Sequence, residues 1–212
     1  MKNFLIILFL LFTGNIFAQR NVLDYYRLLP DSLTEGYKLT YENGQWTSYS
    51  DADYDLYPVV DIKHGYIEID DEGTGGGELI IQVALYRKKD GKSLIAVSKK
   101  IFDGVSQKGK IYFLELYSNK WVIVNDKVLP HISVEKFFNN EYSIPPSYKQ
   151  KTSIVYDLPR YGTTITLNLN VEAVLSDCDD NDQQCIEFEE NISTYCLKLY
   201  WDKDSGKFYM VE

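Results

Sequence analysis

Histidine and cysteine are scarce in this chain, two and three residues respectively in 212. The nucleophile-elbow pattern G-x-S-x-G does not occur. A Ser–His–acid triad needs three groups that meet in space, and neither His64 nor His131 stands in a motif that supplies partners. Basic clusters are short, none longer than Arg87-Lys88-Lys89, and the formal net charge is -9. Such a surface repels nucleic-acid phosphates and anionic membranes, so nucleic acid is excluded as a partner class. After residue 12 no apolar run approaches the roughly 20 residues a spanning helix needs. The glycine-rich stretch Gly73-Thr74-Gly75-Gly76-Gly77 is followed by Glu78, not by the lysine and helix of a phosphate loop. No cofactor is expected.

The chain begins with one positive charge, Lys2, then an unbroken apolar run from Phe4 to Phe12. Thr13-Gly14-Asn15 interrupts it, and Ile16-Phe17-Ala18-Gln19 follows. This is the layout of a secretory signal cut after Ala18, too short for an anchor, and no cysteine at the cut site points to a lipid. Residues 1–18 are assigned to the signal. Losing Lys2, the one charged residue among them, takes the net charge from -9 to -10. The mature protein is expected to be periplasmic or secreted, with no membrane span.

Cysteines in such a compartment tend to pair. Cys178 and Cys185 bracket a polar stretch and form the favoured bridge; Cys178 with Cys196, and three reduced thiols, are the alternatives, and either pairing leaves one odd thiol.

The patterning is mainly β (α+β with two short helices), arranged as antiparallel meanders and hairpins in two lobes. Asn21 to Leu29 reads as a short helix capped by Asn21 and ended by Pro30. Hairpins are expected around His64-Gly65, Lys89-Asp90-Gly91-Lys92, Ser118-Asn119-Lys120 and Asp202 to Gly206. Leu79 to Arg87 is dense enough in apolar residues for a central strand. A second short helix is expected from about 133 to 139 with Ser133 as its cap. Thr164 to Glu172 alternates strictly, with Ile165, Leu167, Leu169 and Val171 on one face. The segment 141–151, with Pro145-Pro146, reads as an extended linker between a lobe at 19–140 and one at 152–212. Leu39 to Trp46, Leu114 to Trp121 and Leu197 to Phe208 share a strand, a turn and a following aromatic. Their irregular spacing fits convergent hairpins better than a repeat.

The most unusual segment is Asp70-Asp71-Glu72 through the glycines to Glu78. Its carboxylates Asp70, Asp71, Glu72 and Glu78 are the candidate acidic loop, read first as a hairpin tip. Two further acidic spacings, at 51–55 and 177–181, mimic calcium loops at positions 1, 3 and 5 but lack the glycine and glutamate at 6 and 12. No metal is therefore expected. Asn191-Ile192-Ser193 and Asp31-Ser32-Leu33 match short glycosylation patterns.

The signal ending Ile16-Phe17-Ala18-Gln19, the following Leu29-Pro30-Asp31-Ser32-Leu33 and the tyrosine-rich hairpins resemble uncharacterised exported β-rich proteins of Gram-negative, Bacteroidota-like bacteria. The resemblance implies no activity. With 18 tyrosines and no catalytic motif, the expectation is a non-enzymatic binding or interaction protein, its partner a protein or a glycan. The rivals are a carboxylate-dependent hydrolase with its cleft at Asp70 to Glu78, and a structural envelope component.

Overall fold

The computed structural model describes residues 19–49, 54–73, 77–179 and 181–211. The signal assigned to residues 1–18 lies outside them, as do Asp51, Asp53 and Asp180 of the calcium-like spacings and Thr74 to Gly76 of the glycine stretch.

The chain is mainly antiparallel β with short helices. Helix α1 is Val22–Tyr26. Asn21 accepts from Leu23 N at 2.9 Å and Asp24 N at 3.0 Å, while Asp24 Oδ2 accepts from Asn21 N at 2.9 Å. This reciprocal capping box fixes the helix start. Helix α2, Asp31–Thr34, follows Pro30 and stops where Glu35 turns left-handed. A small sheet of β1 (Thr40–Glu42), β2 (Gln45–Tyr49) and β3 (Asp55–Leu56) comes next.

The centre of the molecule is a six-stranded meander in sequence order: β4 (Val59–Asp61), β5 (Tyr66–Asp71), β6 (Glu78–Arg87), β7 (Ser93–Phe102), β8 (Gln107–Tyr117) and β9 (Lys120–Ile123). Both of its faces are covered. On one face Ile67, Ile69, Ile81, Val83, Ile95, Val97 and Leu114 share a buried cluster with Val22, Leu23, Tyr26 and Leu33 of the N-terminal helices. On the other, Tyr66, Ala84, Ala96 and Phe113 pack with Ile165, Leu167, Leu199 and Phe208 of the C-terminal segment. Double coverage explains why β6 reads as a continuous apolar run, whereas a half-exposed strand would alternate.

After β9 come α3 (Asn125–Val128), a 3-10 turn at Val134–Phe137 and α4 (Pro146–Lys151). A second meander follows: β10 (Ser153–Asp157), β11 (Ile165–Asn170), β12 (Cys196–Asp202) and β13 (Lys207–Tyr209). Between β11 and β12 lie α5 (Glu172–Leu175) and α6 (Gln183–Glu190).

Strand β10 crosses the central sheet at close range. Ser98 Oγ donates to Tyr156 O at 2.6 Å and Ser153 Oγ to Gln107 O at 2.6 Å. Gly109 permits the crossing, since a Cβ there would sit 2.6 Å from Ile154 O and 2.8 Å from Val155 Cα. The segments 19–140 and 152–212 thus contribute side chains to one buried cluster.

The anticipated hairpins form where their turn residues stand. Gly65 and Gly91 take φ of 71° and 82°, and Ser118 and Asn119 take 47° and 62°. The structure departs from expectation in its helices. Six α-helices are present among the described residues, against two expected. The 133–139 helix is one 3-10 turn, and Ser133 makes no side-chain cap bond there. Pro145 is extended, but Pro146 opens α4, where the missing N–H costs nothing. The Pro pair was therefore a helix start as well as an extended stretch. Strand β11 ends at Asn170, and Glu172 belongs to α5.

Candidate functional site

The acidic segment is built into the sheet more than into a loop. Asp70 and Asp71 are paired residues of β5, opposite Ile80 and Leu79, and Glu78 opens β6. Neighbouring strand residues point to opposite faces. Asp71 therefore turns to the helix-covered face, is 8% exposed, and accepts from the hydroxyls of Tyr37 and Tyr54 and from Gly73 N at 2.9 Å. Asp70 turns to the other face. Burial, and then the negative charges of Glu78, Glu72 and Glu68, push its carboxyl above the usual range. The structure brings Asp70 near Glu72 and Glu78 and sets Asp71 apart from them. Among the described residues no three His, Cys, Asp or Glu side chains are grouped to hold a metal ion.

A polar network lies where β10 crosses the sheet. Tyr66 donates to Glu68 Oε2 at 2.6 Å, and Gln82 Nε2 donates to the same oxygen at 2.7 Å. Gln82 Oε1 accepts from Leu158 N at 2.9 Å. Lys100 Nζ donates to Asp157 Oδ1 at 2.7 Å, and Asn168 Nδ2 to Asp157 Oδ2 at 2.5 Å. Each member is occupied by another, which suits a structural joint. These residues come from five strands, so no local sequence pattern marks them.

An uncovered strand edge lies beside this crossing, on β8. Strand β9 pairs only with Leu114–Tyr117. Beyond that, Phe113 N donates to Asn125 Oδ1 at 2.7 Å, Phe113 O accepts from Val124 N at 2.8 Å, and Ile111 O accepts from Asn125 Nδ2 at 2.8 Å. Asn125 thus extends the ladder by one step with its side chain. These bonds show that Gly109, Ile111 and Phe113 turn their backbone groups away from β7, by the alternation of an antiparallel ladder. The N–H of Ile111 and both backbone groups of Gly109 thus face the side of β8 that β9, which ends its pairing at Leu114, does not cover.

This edge forms one side of a groove of about 570 Å³, with Leu129, Pro130, His131 and Ile132 on the other. Tyr156 lines it and continues, with Gly109 and Ile132, into a neighbouring depression of about 390 Å³. Burial raises the Tyr156 phenol above its ordinary value. His131 is exposed at the rim. A depression of about 610 Å³ elsewhere is lined by Tyr25, Glu115 and Tyr117. Its carboxylate, Glu115, is already engaged by Lys88 and by the Tyr117 hydroxyl. The β8 groove differs in being bordered by a strand edge that β9 does not cover. Sequence reading missed it; a glycine inside a strand, Gly109, was the available signal, since such a residue marks close backbone approach.

His64 is held in its turn by Asp61, whose Oδ2 lies 2.9 Å from His64 Nδ1 and accepts from Arg160 Nε at 3.0 Å. Hydrogen bonds from His64 and then Arg160 hold the Asp61 carboxyl down at about 2. The sulfurs of Cys178 and Cys185 are 2.02 Å apart, a disulfide distance, and Cys196 is exposed and unpaired. Among the described residues Asp177 and Asp179 of the second acidic spacing are not grouped as a cation site; Asp182, just beyond it, caps α6 by accepting from Gln184 N at 2.9 Å. Tyrosines are divided among roles: Tyr26, Tyr66 and Tyr86 are buried, whereas Tyr41 on β1 and Tyr57 and Tyr161 in connecting segments are exposed. No helix among the described residues is long and apolar enough to cross a membrane.

No family model matches the chain, and no curated protein matches it. A solved structure similar to it is a domain of an uncharacterized protein from Porphyromonas gingivalis. The two share 14% identity at a TM-score of 0.57, over 90% of this chain and 97% of that one. That likeness is one of fold.

Proposed function

We propose that the protein is a non-enzymatic binding protein acting outside the cytoplasm, and that its ligand, a protein segment or a glycan chain, lies in the groove between the β8 edge and Leu129–Ile132. The observation that carries this reading is the β8 edge at Gly109 and Ile111, which β9 leaves uncovered, beside the half-buried ring of Tyr156. A binding site wants a concave surface with a few convergent polar groups and an aromatic wall. Export is supported by the signal pattern at 1–18 and by the Cys178–Cys185 pair at disulfide distance.

A glycan array and an immobilised-peptide screen with the purified protein test the reading. Binding that weakens on His131→Ala and Tyr156→Ala, while Tyr161→Ala leaves it unchanged, supports the groove. Binding indifferent to His131 and Tyr156, or no binding on either platform, overturns it.

A further inference from the structure

Resting on the groove reading above, we infer that the ligand is an extended polypeptide carrying a lysine or arginine, held as an added strand on the edge of β8.

The geometry of the uncovered edge selects the ligand's backbone. Gly109 and Ile111 are two residues apart on the same strand edge, the repeat at which a neighbouring strand offers its own donors and acceptors. The opposite side of the groove is also non-helical chain: Leu129 is extended at φ -95° and ψ 143°, and Pro130 cannot donate. Among the described residues, the N–H groups of His131 and Ile132 have no backbone partner. A slot with an uncovered strand edge on one side and non-helical chain on the other matches a chain that carries peptide groups along both of its edges. A glycan offers hydroxyls without that two-residue repeat.

The charge of the slot selects the side chain. Asp126 lines it, is exposed, and has no ion pair or hydrogen bond among the described residues. Lys110 also lines the slot, but even-numbered residues of β8 point to the helix-covered face, as Leu114 does, so its side chain leaves the strand toward that face. The carboxylate of Asp126 is thus a charge at the groove without an ion pair among the described residues, in a chain of net charge -9. A cationic side chain is the complement.

The probes are an octapeptide alternating valine and lysine, its counterpart alternating valine and glutamate, and the lysine peptide N-methylated on alternate amides. The ¹⁵N-labelled protein is titrated with each, and amide hydrogen exchange is read residue by residue. Expected are slowed exchange at Gly109 and Ile111 with the lysine peptide, and affinity about tenfold weaker after N-methylation, the loss of about one backbone hydrogen bond. Asp126→Asn, a surface change, is expected to abolish the preference for lysine over glutamate. Peptide binding without protection at Gly109 and Ile111, or insensitive to N-methylation or to charge, overturns strand addition and leaves the groove reading standing. So does a response at His131 and Tyr156 to glycans alone. No response in the groove to any peptide or glycan overturns both.

Discussion

The Cβ that Gly109 lacks would lie 2.6 Å from the carbonyl oxygen of Ile154. This close approach joins the central sheet to the C-terminal meander and sets the floor of the groove. Backbone atoms cannot swing aside as a flexible side chain can, so Gly109→Ala forces the two strands apart. The expected cost is about 2 kcal/mol or more, in the range of core overpacking. Urea denaturation checks it; a variant as stable as the wild type would mean the crossing is loose.

Asp71 and Glu72 are adjacent in sequence but differ in surroundings. Asp71 is buried with the hydroxyls of Tyr37 and Tyr54 aimed at it, whereas Glu72 is exposed. Asp71→Ala is expected to destabilise by about 2 kcal/mol or more, because buried donors lose a charged acceptor. Glu72→Gln is expected to stay within about 0.5 kcal/mol of the wild type. Thermal melts of the two variants give the comparison, and equal effects would contradict the assigned burial.

The sulfurs of Cys178 and Cys185 close a loop of sequence separation 7. A loop of that size corresponds to about 2–3 kcal/mol of stabilisation by chain entropy. A reductant is expected to lower the melting temperature, and Cys185→Ser to lower it similarly and remove the sensitivity to reductant. In the native, unreduced protein a thiol reagent should label Cys196 alone. Labelling of all three cysteines without unfolding would contradict the pairing.

The acid limb of stability should carry the signature of Asp61. Its folded value, about 2, lies below the ordinary 3.8, so its ties to His64 and Arg160 stabilise fully above about pH 4 and are lost as pH falls through 2. Asp70 has the opposite sign. Its raised value means that stability falls as pH rises through the ordinary carboxyl range, and Asp70→Asn should relieve that loss at neutral pH. Melting temperature against pH for Asp61→Asn should fall below the wild type at pH 7 and meet it near pH 2. Parallel curves would rule out the linkage.

Much of the fold was legible because its signals are local. Asn43-Gly44, His64-Gly65, Asp90-Gly91 and Ser118-Asn119 are turn residues that adopt positive φ in at least one member, and each sits between strands that pair across it. The aromatic after a turn meets its cross-strand partner in the repeated hairpins, as Trp46 does Tyr41 and Phe208 does Trp201. The alternation of Ile165, Leu167 and Leu169 was fully expressed in β11, where all three are buried. Helix α6 was not legible, since it buries only Cys185 and Phe188 and its remaining residues are polar apart from the exposed Ile186. The polar network around Glu68, Gln82 and Asp157 joins residues up to 76 positions apart in sequence. The groove was hidden for a related reason. It exists because β9 stops at Ile123 and leaves the β8 edge uncovered, a matter of relative strand length that no residue type announces.

The most direct measurement is a map of amide chemical-shift changes in the ¹⁵N-labelled protein on adding the peptide and glycan probes. A ligand groove on the β8 edge predicts changes concentrated at Gly109, Ile111, His131 and Ile132. Changes concentrated instead around Asp70 to Glu78, or none in the groove with any probe, contradict it.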